Sequence, residues 1–266
     1  MDAAMDYKNI IYEKENWVGK IIINRPELLN AIDYLSIAEL KDVLSHVEKD
    51  PQIRVIIITG AGEKSFIVGA DRSEIEKHSQ NENEAKAFEA YCRETLNLIE
   101  NLGKPSICAI NGYAFGLGLQ LAIACTFRIA SSSAKFGLPE INIGFFPSMG
   151  ATQRLTRLIG EARATEMILT GESIDGEEAF RIGLVNKQVS PRELTDHVNK
   201  LAEKLAEKSP VAMRLAMDAI RHEKIMSIEN GLAYEALLSD MCLRTEDAKE
   251  GMSAFVEKRK PIFKGK

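Results

Sequence analysis

Two short runs in this chain, VIIIT within IRVIIITG (53–60) and SICAI within KPSICAING (104–112), show no alternation of apolar and polar residues before each ends at a glycine. A strand with one face in water alternates with a period of two; a strand without alternation is covered on both faces. The stretches between such runs are amphipathic. DYLSIAELKDVLSHVEKD (33–50) carries Leu35, Ala38, Leu40, Val43, Leu44 and Val47 at helical spacing, and NEAKAFEAYCRETLNLIENLG (83–103) is a second helix stopped by Gly103. GKIIINRP (19–26) is a strand ended by Pro26, and FRIASSSAKFG (127–137) is a further β segment. Strand, helix, strand, helix with turn signals between them predicts a layered α/β domain with largely parallel strands. From about Pro147 the pattern is mostly helical, with GLVNKQV (183–189) the extended exception. The division expected is a core over 1–190 and a helical region over 191–266, joined without a flexible linker.

With 45% hydrophobic and 27% charged residues among 266, the chain has the composition of a soluble protein that buries a substantial core. A net charge of −5 gives no general electrostatic reason to expect nucleic acid or an anionic membrane as partner. MDAAMDYKNI at the start lacks the basic and apolar regions of a leader, and no run approaches 18 apolar residues, so a cytoplasmic protein is expected. Cys92, Cys108, Cys125 and Cys242 are widely separated and read as buried thiols. His46, His78, His197 and His222 show no ligand spacing either, so no metal site is expected.

The chemistry concentrates in NGYAFGLGLQLAIACT (111–126), where a buried strand enters a glycine-rich turn and then an apolar helix. Glycine lets the backbone approach a ligand closely, and the first amides of a helix have no intrahelical acceptor. Such a junction holds a phosphate or an oxygen that gains negative charge. A dinucleotide fingerprint would need glycine at 121, where Leu121 stands, and a phosphate-binding loop would need Gly-Lys-Ser/Thr. The bland alternative is a tight turn that merely packs helix on strand. A second strand-to-loop-to-helix transition, EKSFIVGADRSEI (63–75), places Gly69-Ala70-Asp71 where another backbone amide could meet the first.

Together these stretches resemble the crotonase (enoyl-CoA hydratase/isomerase) superfamily over nearly the whole length. The matching pieces, in the family's order, are NRPELLNAI, RVIIITGAGEKSFIVGAD, KPSICAINGYAFGLGLQLAIAC, AKFGLPEINIGFFPSMGATQRLTRLIG, ILTGESIDGEEAFRIGLVNKQV and EGMSAFVEKRKP. The resemblance implies a spiral of ββα turns with a C-terminal helical region, assembled as a trimer or dimer of trimers. It implies an acyl-CoA thioester as substrate, coenzyme A being part of that substrate and no further cofactor needed. It implies an oxyanion hole from the N–H groups of Ala70 and Leu117, the latter standing where the family usually has glycine. Of the two glutamates that hydratases of the family carry, one is present as Glu140, in a largely apolar pocket that would raise its pKa; the other is replaced by Gln120. By the same resemblance Arg25, Leu28 and Leu29 border the CoA moiety, with Glu27 departing from a frequent lysine; Asp71 and Arg72 are candidates for its pyrophosphate or ribose region, with loop solvation as the rival role. Phe255 and Lys258 would cover the CoA of a neighbouring subunit. Phe145, Phe146 and Ser148 are expected at the acyl pocket, with core packing as the rival role for the two phenylalanines.

An amide at 120 cannot exchange a proton at neutral pH, whereas moving a double bond needs one carboxylate that takes a proton from one carbon and returns it to another. The first reading is therefore double-bond isomerisation through an enolate, with Glu140 as acid and base. The alternative is hydration or dehydration of a simple, dienoyl or cyclic enoyl-CoA. Hydrolytic or decarboxylating chemistry, and a non-catalytic acyl-CoA binder, are further alternatives. A serine peptidase on a related fold lacks a histidine in a matching motif.

Overall fold

The computed structural model describes residues 6–223 and 225–266; the first five residues, part of the stretch in which a leader was sought, lie outside it. An antiparallel hairpin of β1 (Ile10–Glu15) and β2 (Val18–Ile23) precedes α1 (Tyr34–Lys49). The chain then repeats one unit. β3 (Val55–Gly60) and β4 (Ser65–Ile67) lead to α2 (Arg72–Gln80) and α3 (Glu82–Asn101). β5 (Ser106–Ile110) and β6 (Tyr113–Phe115) lead to α4 (Leu117–Ala124). β7 (Phe127–Ser131) and β8 (Lys135–Gly137) lead, through a 3-10 turn at Pro139–Ile143, to α5 (Ala151–Ile159) and α6 (Glu161–Thr170). β9 (Ile174–Asp175), α7 (Gly176–Arg181) and β10 (Lys187–Val189) complete the two sheets. Then come α8 (Leu194–Ala206), α9 (Pro210–Glu223), α10 (Ile228–Leu243) and α11 (Glu246–Glu257).

In each repeat the first strand joins a six-stranded sheet, β1-β2-β3-β5-β7-β10, and the second joins a four-stranded one, β4-β6-β8-β9. All neighbours are parallel except β1–β2 and β8–β9. This is a spiral of ββα turns with a helical C-terminal region. The segment 127–137, read from sequence as one β element, is two strands in different sheets. The bend lies at 132–134, where the Ala134 N–H bonds the Ser131 carbonyl at 3.0 Å. β1, with most of its side chains at the surface, had no strong apolar signal.

The non-alternating strands are buried on both faces, each face by a different cluster. Ile56, Ile58, Cys108 and Ile110 face α1, α3 and α4, while Val55, Ile57, Ile107 and Ala109 face α8. α8 presents Leu194, Val198, Ala202 and Ala206 to them, a single stripe at four-residue spacing. The expected division at 190 falls between β10 and the turn at Pro191–Glu193. Because α8 belongs to the core, we propose that boundary as a change of architecture, not a cut between bodies.

Gly118 shows how tightly the second sheet and α4 are joined: a Cβ built there would lie 2.1 Å from the Ile67 carbonyl oxygen. In an unconstrained helix alanine is preferred to glycine by about 1 kcal/mol. Here the obstacle is backbone, which cannot rotate away, and overpacking of a core costs about 1–3 kcal/mol or more. Gly118→Ala should therefore lower stability by at least about 2 kcal/mol in urea denaturation, opposite in sign to helix propensity.

Candidate active site

Gly116 turns the chain from β6 into α4 with φ 52° and ψ −122°, a conformation closed to residues with a side chain. Its N–H bonds the Gly137 carbonyl at 3.0 Å, and its carbonyl accepts the Gln120 N–H at 3.0 Å. Leu117, at the first helical position, keeps an N–H with no intrahelical acceptor. Across from it, the loop after β4 bridges to Ile32: the Ile32 N–H bonds the Gly69 carbonyl at 2.9 Å, and the Asp71 N–H bonds the Ile32 carbonyl at 2.7 Å. That pattern engages the residues on either side of Ala70 and turns the Ala70 N–H away from Ile32. The two loops are in contact. A Cβ built on Gly116 would lie 3.6 Å from the Gly69 Cα, and one built on Gly69 would lie 3.9 Å from the Leu117 nitrogen.

Ala70 and Leu117 line a cavity of about 400 Å³ that Gln120 and Glu140 also reach. Glu140 sits on the 3-10 turn after β8, and Gln120 one helical turn into α4. Gln120 is 3% exposed; its Oε1 accepts the Met149 N–H at 3.0 Å, and its Nε2 donates to Glu140 Oε1 at 3.2 Å. Reversing the amide would set oxygen against oxygen and N–H against N–H, so the partners dictate its orientation. Glu140 Oε2 is buried and has no hydrogen-bond partner among the described residues. Burial raises the Glu140 pKa above the ordinary 4.5; an N–H of its own backbone and the Gln120 amide oppose the rise without cancelling it. The result is a carboxyl group of raised proton affinity, with one free oxygen, in a cavity that two loop amides share.

Residues 13–266 match the family model described as enoyl-CoA hydratase/isomerase. The chain belongs to the enoyl-CoA hydratase/isomerase family. Among its relatives, the crotonyl-CoA hydratase of Syntrophomonas wolfei is 44% identical over 259 residues, covering 97% of this chain and 99% of that protein. The (E)-benzylidenesuccinyl-CoA hydratase of Thauera aromatica is 42% identical over 258 residues, covering 96% and 99%. A crystal structure of enoyl-CoA hydratase from Bacillus anthracis superposes with a TM-score of 0.94 at 39% identity, covering 97% of this chain and 100% of that one.

Ala70, Leu117, Gln120, Glu140, Phe145, Phe146 and Ser148, all singled out from sequence by their family positions, come together at this one cavity. Arg25 does not reach it. Its guanidinium donates to the Ala31 carbonyl at 2.6 Å and pairs with Asp71 at 2.9 Å and Asp33 at 3.4 Å, so it ties down the segments on both sides of the Ile32–Ala70 bridge. Asp71 also caps α2 by accepting from the Ser73 N–H and hydroxyl. Burial would raise its pKa, but those bonds and Arg25 hold it below the usual carboxylate range. Leu28 is exposed and Leu29 half-buried, on the turn that follows Arg25. Phe255 and Lys258 stand exposed at the end of α11, outside this cavity's lining. Sequence reading missed the Met149 N–H, since a backbone donor has no residue signature. It also missed the wall formed by Ile75, His78, Ala85 and Phe88 of α2 and α3, whose helical spacing marks a face without saying what the face meets.

The raised Glu140 pKa has a consequence for folding. Between 4.5 and the raised value the folded chain holds a proton that the unfolded chain has released, so stability falls as pH rises through that window and stays lower above it. Glu140→Gln removes the penalty. Thermal unfolding should show the variant gaining stability over the parent as pH rises from below 4.5 to neutrality; a difference independent of pH would contradict the assignment.

Proposed function

We propose that this protein hydrates a 2-enoyl-CoA thioester. The reading is carried by the unpartnered Glu140 Oε2 in the same cavity as the Ala70 and Leu117 amides, and it is supported by the names of the two relatives above, both hydratases. The thioester oxygen would lie between the two amides. A water bonded to Glu140 Oε2 attacks C3 and passes a proton to that oxygen; the π electrons move toward the thioester, whose oxygen gains charge opposite the two N–H groups. Glu140 then delivers a proton to C2, and its carboxylate is restored. Main-chain donors already in place stabilise the enolate more than the ground state, and one such donor is worth about 3–4 kcal/mol.

Gln120 supplies position in place of proton transfer. With Oε1 on Met149 and one Nε2 hydrogen on Glu140, its second Nε2 hydrogen is available to the oxygen that adds or leaves. Isomerisation is the second reading, favoured by the missing carboxylate at 120: Glu140 alone would move a proton between C2 and C4. The exposed apolar side chains of α10, among them Leu232, Leu237, Met241 and Leu243, support an assembly, a trimer or dimer of trimers, as part of the same reading.

Turnover of enoyl-CoA thioesters in H₂¹⁸O and D₂O separates these reactions. Hydration places ¹⁸O in a product that still carries CoA; isomerisation adds deuterium without oxygen; hydrolysis frees CoA. Glu140→Gln should reduce the hydration rate by about 10²–10⁴-fold, and Gln120→Glu should raise crotonyl-CoA hydration. Oxygen-free products from every thioester tried would displace hydration in favour of isomerisation.

The amide of Leu117 can be tested directly, because proline is tolerated at the first position of a helix and has no N–H, while an alanine control accounts for the lost side-chain packing. Leu117→Pro should lower kcat by about 10²–10³-fold. Leu117→Ala, which keeps the donor, should stay within about tenfold of the parent. Equal losses in both would assign the effect to packing.

A further inference from the structure

The catalytic groups occupy one end of the cavity, and the rest of it is larger than their reaction requires. Its volume of about 400 Å³ is bounded beyond Ala70 and Leu117 by α2, α3 and the segment 142–149, and Arg25, Leu28, Leu29 and Asp71, the positions expected beside CoA, contribute nothing to its lining. An apolar cavity of about 150 Å³ holds a benzene molecule. This one is more than twice that size, and an acyl chain with a single methyl beyond C3 would leave most of it unfilled.

The walls away from Glu140 are largely apolar and carry several rings, with Ser79 and Glu89 as polar residues contributed by α2 and α3. His78 and Phe88 pack with ring centroids 4.9 Å apart at 47°, joining α2 to α3. Glu74, buried and paired with Lys77 at 2.9 Å, lies 3.7 Å from His78 Nε2. The polar edge of the imidazole is thereby turned toward Glu74, which leaves its faces to pack as wall. On the other side Phe145 and Phe146 are 57% and 61% exposed although both line the cavity. Their uncovered faces suit offset or edge contacts with a further ring.

We propose that this site is built for a 2-enoyl thioester whose acyl group carries a six-membered ring beyond C3, and not for a short straight chain. The inference rests on the hydratase reading of the same site and adds the class of substrate. No redox step is involved: water contributes a hydroxyl to C3 and a hydrogen to C2, and the reverse reaction returns both as water.

The test uses dehydration, followed by enoyl-thioester absorbance, with three probes: 3-hydroxybutyryl-CoA, 3-hydroxy-3-phenylpropanoyl-CoA and 3-cyclohexyl-3-hydroxypropanoyl-CoA. At least one ring-bearing probe should exceed 3-hydroxybutyryl-CoA in kcat/KM by tenfold or more. Ala85→Phe, which fills the far wall, should lower kcat/KM for that probe at least tenfold more than for the short one; Ala85→Leu serves if the larger side chain prevents folding. A parent protein that handles 3-hydroxybutyryl-CoA as well as both ring probes overturns the ring assignment alone, as does a selectivity that neither substitution changes. Conversion of none of the three overturns the hydratase reading and the ring assignment with it.

Discussion

The first turn of α4 rests on the backbone at the end of β4, at a distance that admits no methyl group on Gly118. The chemistry of the site depends on that approach. In a spiral of ββα turns, β4 and β6 are parallel neighbours in the second sheet, so the segments leaving them emerge side by side. The loop at 69–71 and the helix start at 116–118, far apart in sequence, thus become two walls of one cleft. The donors proposed for the site, the Ala70 and Leu117 N–H groups, belong to the main chain. Their direction is set by the sheet, by the bridge to Ile32 and by the turn at Gly116, and no side-chain rotamer has to be ordered when a ligand arrives.

Gln120 changes the electrostatics beside them. A second carboxylate 3.2 Å from Glu140 would compel the two to share a proton near neutrality. An amide removes the repulsion and donates a hydrogen to Oε1, which leaves Oε2 as the oxygen free to exchange a proton. Through the Met149 N–H the same side chain also ties the carboxyl group to the segment that carries Phe145 and Phe146. The Glu140 carboxyl group and the segment that carries Phe145 and Phe146 are thereby linked through one residue.

Much of this was legible in sequence, for identifiable reasons. The non-alternating runs at 55–59 and 106–110 required cover on both faces, and α8 and the α1–α3–α4 layer supply it. The glycines at 116 and 118 marked a close approach, and the departure at Gln120 marked the unusual chemistry. What escaped was structure held by pairing across the chain. The two strands within 127–137 look continuous because the bend between them is made of serines that suit either state. The ion pairs of Arg25 escaped because its two acidic partners, Asp33 and Asp71, lie on separate segments. The ring-lined wall was invisible because Ile75, His78, Ala85 and Phe88 meet only after two helices pack.

The two ends of the cavity are built from different elements. The residues proposed to meet the reacting atoms come from α4, the loop after β4 and the turn at 139–143, beside the strands of the second sheet. The distal wall comes from α2 and the first turns of α3. Along α2 the buried residue is Glu74, and along α3 burial begins at Phe88 and continues through Cys92, Leu96 and Ile99 toward the core. That wall is the part of the cavity least committed to the fold. Ile75, His78 and Ala85 are not fully buried, so substitutions there alter cavity volume with little loss of core packing, whereas Phe88 belongs to the core and Gly118 to the contact that joins α4 to β4. On the proposed hydratase reading, cavity size is therefore set by α2 and α3, and the reacting end by α4.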